Sequence, residues 1–92
     1  MSIFMIKTKQ IILYGTTRCA DCRRAKHWLH EHNITFSDIN IEENEKAVEK
    51  VLKFNDGMQT VPTIVFPDGS ILTEPTNNEL EQKVLSLGLI SM

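Results

Sequence analysis

The pattern of hydrophobic and polar residues divides the chain into alternating strand-like and helix-like stretches. Residues 11–14 form a continuous apolar run that ends at Gly15, which is typical of a central strand buried on both faces. Residues 20–32 then show helical spacing, with Trp28 at the border of the buried face, and Asn33 is expected to end this helix. The face predicted to point to the core carries Cys22, Ala25, Leu29 and His32.

The second half of the chain predicts two helices and a β-hairpin. Residues 34–39 alternate as in a half-buried strand, and the intervening helix implies that this strand runs parallel to the first. Residues 44–55 predict a helix with Val48, Val51, Leu52 and Asn55 on one side. Residues 60–66 and 71–72 flank an Asp-Gly turn, with Pro62 at the start of its strand because proline cannot donate to a sheet. A last helix, capped by Thr76 or Asn77, completes the order β-α-β-α-β-β-α; its apolar face carries Leu80, Val84 and Leu87.

Both cysteines, Cys19 and Cys22, lie where the first predicted strand gives way to the first helix. Cys-x-x-Cys in this position is typical of dithiol redox chemistry. The free amides at the helix start would favour a thiolate at Cys19, and Thr16 and Thr17 offer capping hydroxyls. Cys22, one turn further on, shares a helix face with Cys19 and could close a disulfide after Cys19 has reacted.

Several residues around the pair are candidates for thiol binding or for tuning the ionisation of Cys19. The basic ones are Arg18, Arg23, Arg24 and Lys26. They could stabilise the thiolate and steer an anionic partner, or form a solvated basic face. The carboxylate of Asp21 would disfavour a thiolate at Cys19, unless it caps a first-turn amide instead. We expect the cations and the helix amides to outweigh it, so that the pKa of Cys19 is lowered overall. Tyr14 and Thr16, together with Arg18, are expected at the thiol groove, although a tyrosine in a strand more commonly packs in the core.

Two other interpretations of the cysteine pair are weaker. A zinc site would need two more ligands, and zinc spacings usually supply them from a separate segment, whereas His27, His30 and His32 follow on the same helix. A purely structural disulfide would close so short a loop that it would constrain the unfolded chain little. The sequence therefore favours redox chemistry without a metal.

Composition narrows the class of protein. The 92 residues support one domain, which we predict over 11–89. Residues 1–10 are expected to be an N-terminal extension that is disordered or a non-native start; Met5 is an alternative start, with residues 1–4 as a loose extension before it. The net charge of −2 argues against nucleic-acid binding, and no apolar run approaches the roughly 20 residues that span a membrane. The first residues show no secretory leader, and a single Cys-x-x-Cys fits a reducing cytoplasm. We expect a cytoplasmic monomer.

Two motifs carry a resemblance to a known family: Cys19-Ala20-Asp21-Cys22 after the first strand, and Thr60-Val61-Pro62-Thr63 before the third. With this element order, the chain from about residue 11 to 87 resembles a glutaredoxin. Cys-Arg-Arg at 22–24, Asn-Ile-Glu at 40–42 and the segment 60–75 are most similar to the mycoredoxin-like dithiol glutaredoxins. The resemblance implies an α/β thioredoxin-like fold, with a four-stranded mixed sheet flanked by helices.

The resemblance also implies an activity and the roles of four residues. The chain would be a thiol–disulfide oxidoreductase acting in electron transport, with Cys19 as the nucleophile and Cys22 as the resolving thiol. Pro62 would be a cis-proline beside the pair, and the backbone of Val61 would bind the incoming thiol. Its substrates would be protein disulfides or mixed disulfides with small thiols. No cofactor would stay bound; glutathione, mycothiol or another low-molecular-weight thiol would be the co-substrate.

Two departures from the family pattern bear on the partner. Ala-Asp stands between the cysteines where many glutaredoxins have Pro-Tyr or Gly-Tyr, and residues 74–78 lack the Gly-Gly-x-Asp motif that holds glutathione. The small thiol therefore stays open. One alternative is a thioredoxin-like reductase supplied with electrons by a flavoprotein reductase. Another is a carrier of an iron–sulfur cluster across a dimer, against which Cys22 counts because such relatives usually lack it.

Overall fold

The computed structural model describes residues 10–90, and its elements follow the predicted order. The strands are β1 (Ile11–Gly15), β2 (Phe36–Asn40), β3 (Thr63–Val65) and β4 (Ile71–Thr73). The helices are α1 (Ala20–Glu31), α2 (Glu45–Phe54) and α3 (Asn77–Ser86), and one turn of 3₁₀ helix, Ile41–Glu43, precedes α2. The predicted N-terminal extension falls almost wholly on residues 1–9, outside the described residues, and stays a prediction.

The four strands form one mixed sheet, as predicted, and their order in the sheet is β2-β1-β3-β4. β1 runs parallel to β2, with Ile11 opposite Phe36, and antiparallel to β3, with Leu13 opposite Ile64. β3 and β4 form the predicted antiparallel hairpin. Because β1 and β2 are parallel, their carboxyl ends lie at the same end of the sheet, and α1 begins there, after β1. Across residues 10–90, no helix combines the length and apolar character needed to cross a membrane.

Helices cover both faces of the sheet, and alternate residues of β1 point to each layer. Ile11 and Leu13 pack with residues of α1 and α3, including Leu29 and Leu80. On the other face, Tyr14 packs against α2 and the 3₁₀ turn; the buried members of that cluster are Tyr14, Ile41, Ala47 and Val51. β1 is therefore buried on both faces, as its continuous apolar run predicts.

The ends of several elements depart from the sequence prediction. His32 was expected in the core, but it follows the last residue of α1 and is exposed; its ring stacks on Trp28, which is buried in its place. β3 begins at Thr63 rather than at Thr60, because Pro62 has no N–H and the Thr60 carbonyl accepts from the Thr63 side chain. The predicted cap of α3 is confirmed: Thr76 and Glu79 form a reciprocal capping box.

Candidate active site

The first sulfur of the pair lies at the junction between β1 and α1. Cys19 is the N-cap residue of α1, and its Sγ accepts a hydrogen bond of 3.0 Å from the Cys22 N–H. The predicted caps, Thr16 and Thr17, do not fill this position, because a turn at residues 17 and 18 separates them from the helix, which begins directly after Cys19. A sulfur at an N-cap faces the free N–H groups and the positive end of the helix dipole. Cys19 is also partly exposed, so an outside molecule can reach it.

The second sulfur lies one helical turn further on, inside the protein. Cys22 is a free thiol with no exposed surface. Burial, with the hydrogen bond to Cys19, raises the pKa of Cys22 from 9.0 to about 12. The backbone at Thr16 and the charge of Lys26 oppose that rise without cancelling it. Cys22 is therefore a protonated thiol at neutral pH until a neighbour takes its proton.

A glycine provides the space that the second sulfur occupies. A Cβ on Gly15, the last residue of β1, would lie 2.9 Å from Cys22 Sγ and 3.2 Å from a methyl of Leu13. Such distances are shorter than ordinary van der Waals contact, which begins near 3.4 Å. The end of β1 and the first turn of α1 thus approach each other closely because residue 15 has no side chain.

The segment before β3 forms the opposite side of the site. The carbonyl oxygen of Val61 lies 3.9 Å from Cys19 Sγ, which places the residue before Pro62 beside the first sulfur. The Val61–Pro62 peptide bond is cis, also as predicted, and Pro62 is buried. That the Val61 backbone binds an incoming thiol stays a prediction.

The charged residues near the pair are mostly engaged by other parts of the fold. Arg24 donates to the Pro75 carbonyl at 2.8 Å and to Asn77, which ties α1 to the start of α3, and it lies 3.6 Å from Asp21. Arg23 donates to the Thr17 carbonyl at 3.2 Å. The proposed effects of Arg23 and Asp21 on the ionisation of Cys19 stay predictions.

Among the remaining candidates, Tyr14 is packed in the core. Its side chain is 3% exposed, burial raises its pKa above 10.0, and its ring lies 6.2 Å from that of Phe54. The structure thus supports the core interpretation of Tyr14 that competed with thiol binding. Thr16 is half-buried and Arg18 is exposed, and their roles in thiol binding stay predictions.

Two of the three histidines considered as metal ligands have other partners. His27 lies 3.2 Å from Glu31, and the Nδ1 of His32 is 2.8 Å from the Trp28 carbonyl oxygen. Over residues 10–90, no three His, Cys, Asp or Glu side chains are grouped so that they could hold a metal ion.

Sequence reasoning missed a polar cluster behind the Val61 segment. Thr63 is the one fully buried polar side chain among the described residues, and its hydroxyl donates to the Thr60 carbonyl at 2.7 Å. Asn55, expected as one more residue on the inner side of α2, donates to that same hydroxyl at 3.0 Å. The available signal was a threonine within a predicted buried strand, directly after Val-Pro, but nothing in the sequence pairs it with Asn55.

Known proteins are similar to this chain in sequence and in fold. The sequence model of the glutaredoxin family matches residues 11–71. A Mycobacterium tuberculosis protein named as a glutaredoxin is 38% identical over 80 residues, which are 87% of this chain and 95% of that protein. Mycoredoxin 1 of Corynebacterium glutamicum is 31% identical over 77 residues, 84% of this chain and 95% of its own length. A glutaredoxin crystal structure from Archaeoglobus fulgidus superposes with a TM-score of 0.69 at 26% identity, over 79% of this chain and 83% of that one. The chain belongs to the glutaredoxin family of thioredoxin-fold redox proteins, whose members are generally thiol oxidoreductases.

Proposed function

We propose that this protein reduces disulfides, or mixed disulfides between a protein and a small thiol, by thiol–disulfide exchange at Cys19 and Cys22. The observation that carries this proposal is the difference between the environments of the two sulfurs. Cys19 is accessible at a helix N-cap, whereas Cys22 is fully buried with its pKa raised to about 12. The first is suited to attack an outside disulfide and the second to react only with what becomes bound to the first.

The exchange takes place in two displacements. The Cys19 thiolate attacks one sulfur of the substrate disulfide; a Cys19–substrate bond forms, and the other substrate sulfur leaves as a thiolate. Cys22 then loses its proton and attacks Cys19 Sγ, which releases the second substrate thiolate and leaves the Cys19–Cys22 disulfide. The substrate gains two electrons and the protein loses two. When the group held on Cys19 is itself a small thiol such as glutathione or mycothiol, a second molecule of that thiol can attack its sulfur. A disulfide between the two small thiols then forms and Cys19 leaves as a thiolate, without Cys22.

The test uses two single-cysteine variants as controls for each other. Cys19→Ser and Cys22→Ser are incubated in reduced form with a peptide that carries a glutathione mixed disulfide, and adducts are followed by mass spectrometry. We expect an adduct on Cys19 in Cys22→Ser and essentially none on Cys22 in Cys19→Ser. Adducts forming at equal rates in the two variants would overturn the assignment of roles.

The electron donor is identified by a second experiment. Oxidised wild-type protein is offered glutathione, mycothiol, bacillithiol, or thioredoxin reductase with NADPH, and the return of two free thiols is measured. We expect a small thiol to restore them. We further propose that the protein acts as a monomer in the cytoplasm. Recovery with the flavoprotein reductase alone would favour the thioredoxin-like alternative, in which case Cys22→Ser should accumulate as a trapped mixed disulfide.

A further inference from the structure

Three polar side chains connect the end of α2 with both strands of the hairpin. Asn55 donates through Nδ2 to the Val51 carbonyl at 2.9 Å and to the Thr63 hydroxyl at 3.0 Å. Its Oδ1 accepts from the Thr73 hydroxyl at 2.8 Å. The Thr63 hydroxyl donates in turn to the Thr60 carbonyl at 2.7 Å. We call Asn55, Thr63 and Thr73 the Asn55 cluster.

The Asn55 cluster holds the segment that faces the reactive sulfur. The Thr60 carbonyl is bound by Thr63, and the Pro62 carbonyl accepts from the Glu74 N–H at 2.8 Å. Val61 lies between these two anchored carbonyls, and its own carbonyl is the one 3.9 Å from Cys19 Sγ. The position of Val61 relative to Cys19 is thus fixed by bonds on either side of it.

The hydrogen bond between the Thr63 hydroxyl and the Thr60 carbonyl is hard to replace because it is buried. Thr63 has no exposed surface, so water cannot replace its hydroxyl as the partner of the Thr60 carbonyl. The hydroxyl accepts from Asn55 and donates to Thr60, which fixes its rotation and the direction of both bonds. Loss of the hydroxyl would leave the 60–62 segment free to move at its amino-terminal side.

We propose that Thr63 and Asn55 are positioning residues for disulfide exchange: they hold Val61 where a substrate disulfide must align with Cys19 Sγ. The inference rests on the proposed function. The hydrogen bonds of both side chains go to residues other than the two cysteines, so we assign these side chains a positioning role and not a chemical one. A misplacement of about 1 Å by a distant change can slow a reaction by roughly 100-fold, because in-line attack depends on geometry.

The test compares two electrophiles that differ in their need for the Val61 segment. Reduced wild type, Thr63→Val and Thr63→Ser are reacted in single turnover with a fluorescent peptide bearing a glutathione mixed disulfide. They are reacted separately with iodoacetamide, which needs only an accessible Cys19 thiolate. For Thr63→Val we expect a roughly 10- to 100-fold slower reaction with the peptide and an unchanged rate with iodoacetamide. Thr63→Ser keeps the hydroxyl and should restore most of the peptide rate.

Further variants separate positioning from general stability. Asn55→Asp keeps the oxygen that accepts from Thr73 but loses the N–H donors to the Val51 carbonyl and the Thr63 hydroxyl. This variant should also react more slowly with the peptide and normally with iodoacetamide, which keeps the test available if Thr63→Val does not fold. Ser86→Ala removes a hydroxyl that donates to the Lys83 carbonyl in α3 and should leave both rates unchanged. Equal peptide rates in wild type and Thr63→Val, or equal slowing with both electrophiles, would overturn the inference. A wild type that reacts with iodoacetamide but not with the peptide would instead refute the proposed function.

Discussion

Replacement of Gly15 by alanine is expected to destabilise the reduced protein through the buried sulfur of Cys22. The new Cβ would lie 2.9 Å from Cys22 Sγ, 3.3 Å from Cys22 Cβ and 3.2 Å from Leu13 Cδ2. Gly15 lies in β1 and is not among the glycines with a positive φ, so alanine meets no conformational penalty there. The cost therefore comes from the crowded atoms rather than from the backbone.

The surroundings give the expected size of this cost. Cys22 and Leu13 are both completely buried, so neither can move aside into solvent. An extra methyl group in a well-packed core typically costs about 1–3 kcal/mol. For a domain of this size, each kcal/mol lowers the Tm by roughly 4–8 °C. Urea unfolding of protein kept reduced, read by Trp28 fluorescence, gives the free energy of unfolding directly.

A double-mutant cycle attributes the cost to the sulfur. Cys22→Ala removes the atom in closest contact, so Gly15→Ala should cost at least about 0.5 kcal/mol less in that background. Cys19→Ala serves as the matched control, because Cys19 is not among the atoms closest to the new Cβ. There the two changes should add to within about 0.5 kcal/mol. An equal cost of Gly15→Ala in all three backgrounds would refute the steric explanation.

Two further predictions concern pH and helix capping. The reduced protein should lose stability as the pH rises from about 9 towards 12, since the unfolded Cys22 thiol ionises in that range while the folded one stays protonated. In Cys22→Ser, stability should fall less steeply over this pH range. The pKa of Tyr14 is also raised, but Tyr14 contributes equally to both proteins. Identical slopes of stability against pH in wild type and Cys22→Ser would contradict the reasoning. Thr76→Ala should cost about 1 kcal/mol by removing the capping box of α3, whereas Thr76→Ser should cost much less in thermal melts followed by circular dichroism; equal losses in both variants would speak against the cap.

The elements could be predicted from the sequence because their signals are local. The apolar run of β1 and the spacing of α1 each depend on residues within a few positions of one another. The left-handed conformation of Asn33, with φ of 57°, follows from its place directly after His32, the C-cap of α1. The error at His32 came from extending helical periodicity past the last turn, where the ring could turn outward and stack on Trp28.

Those parts of the site that depend on local sequence signals were also predictable. The spacing of Cys19 and Cys22 and the position of Pro62 are features of short motifs. The contact of Gly15 with the Cys22 sulfur and the bond between Asn55 and Thr63 join separate elements, and their existence depends on how α1, α2 and the sheet pack. Capping of α1 by Cys19 itself was missed because threonine and serine are the usual caps, while sulfur is a weak acceptor.

Within residues 10–90, β2 and β4 are the two edge strands of the sheet, and unpaired backbone groups at an edge can recruit a strand from another molecule. β4 offers little for such pairing because it is only three residues long. β2 is longer, but Asp38 stands at its centre, half-exposed, with Lys26 Nζ 3.1 Å away. A foreign strand added along β2 would have to displace or desolvate that ion pair, which makes edge-to-edge association costly. The same ion pair that joins α1 to β2 thus also makes the addition of a foreign strand along β2 less favourable.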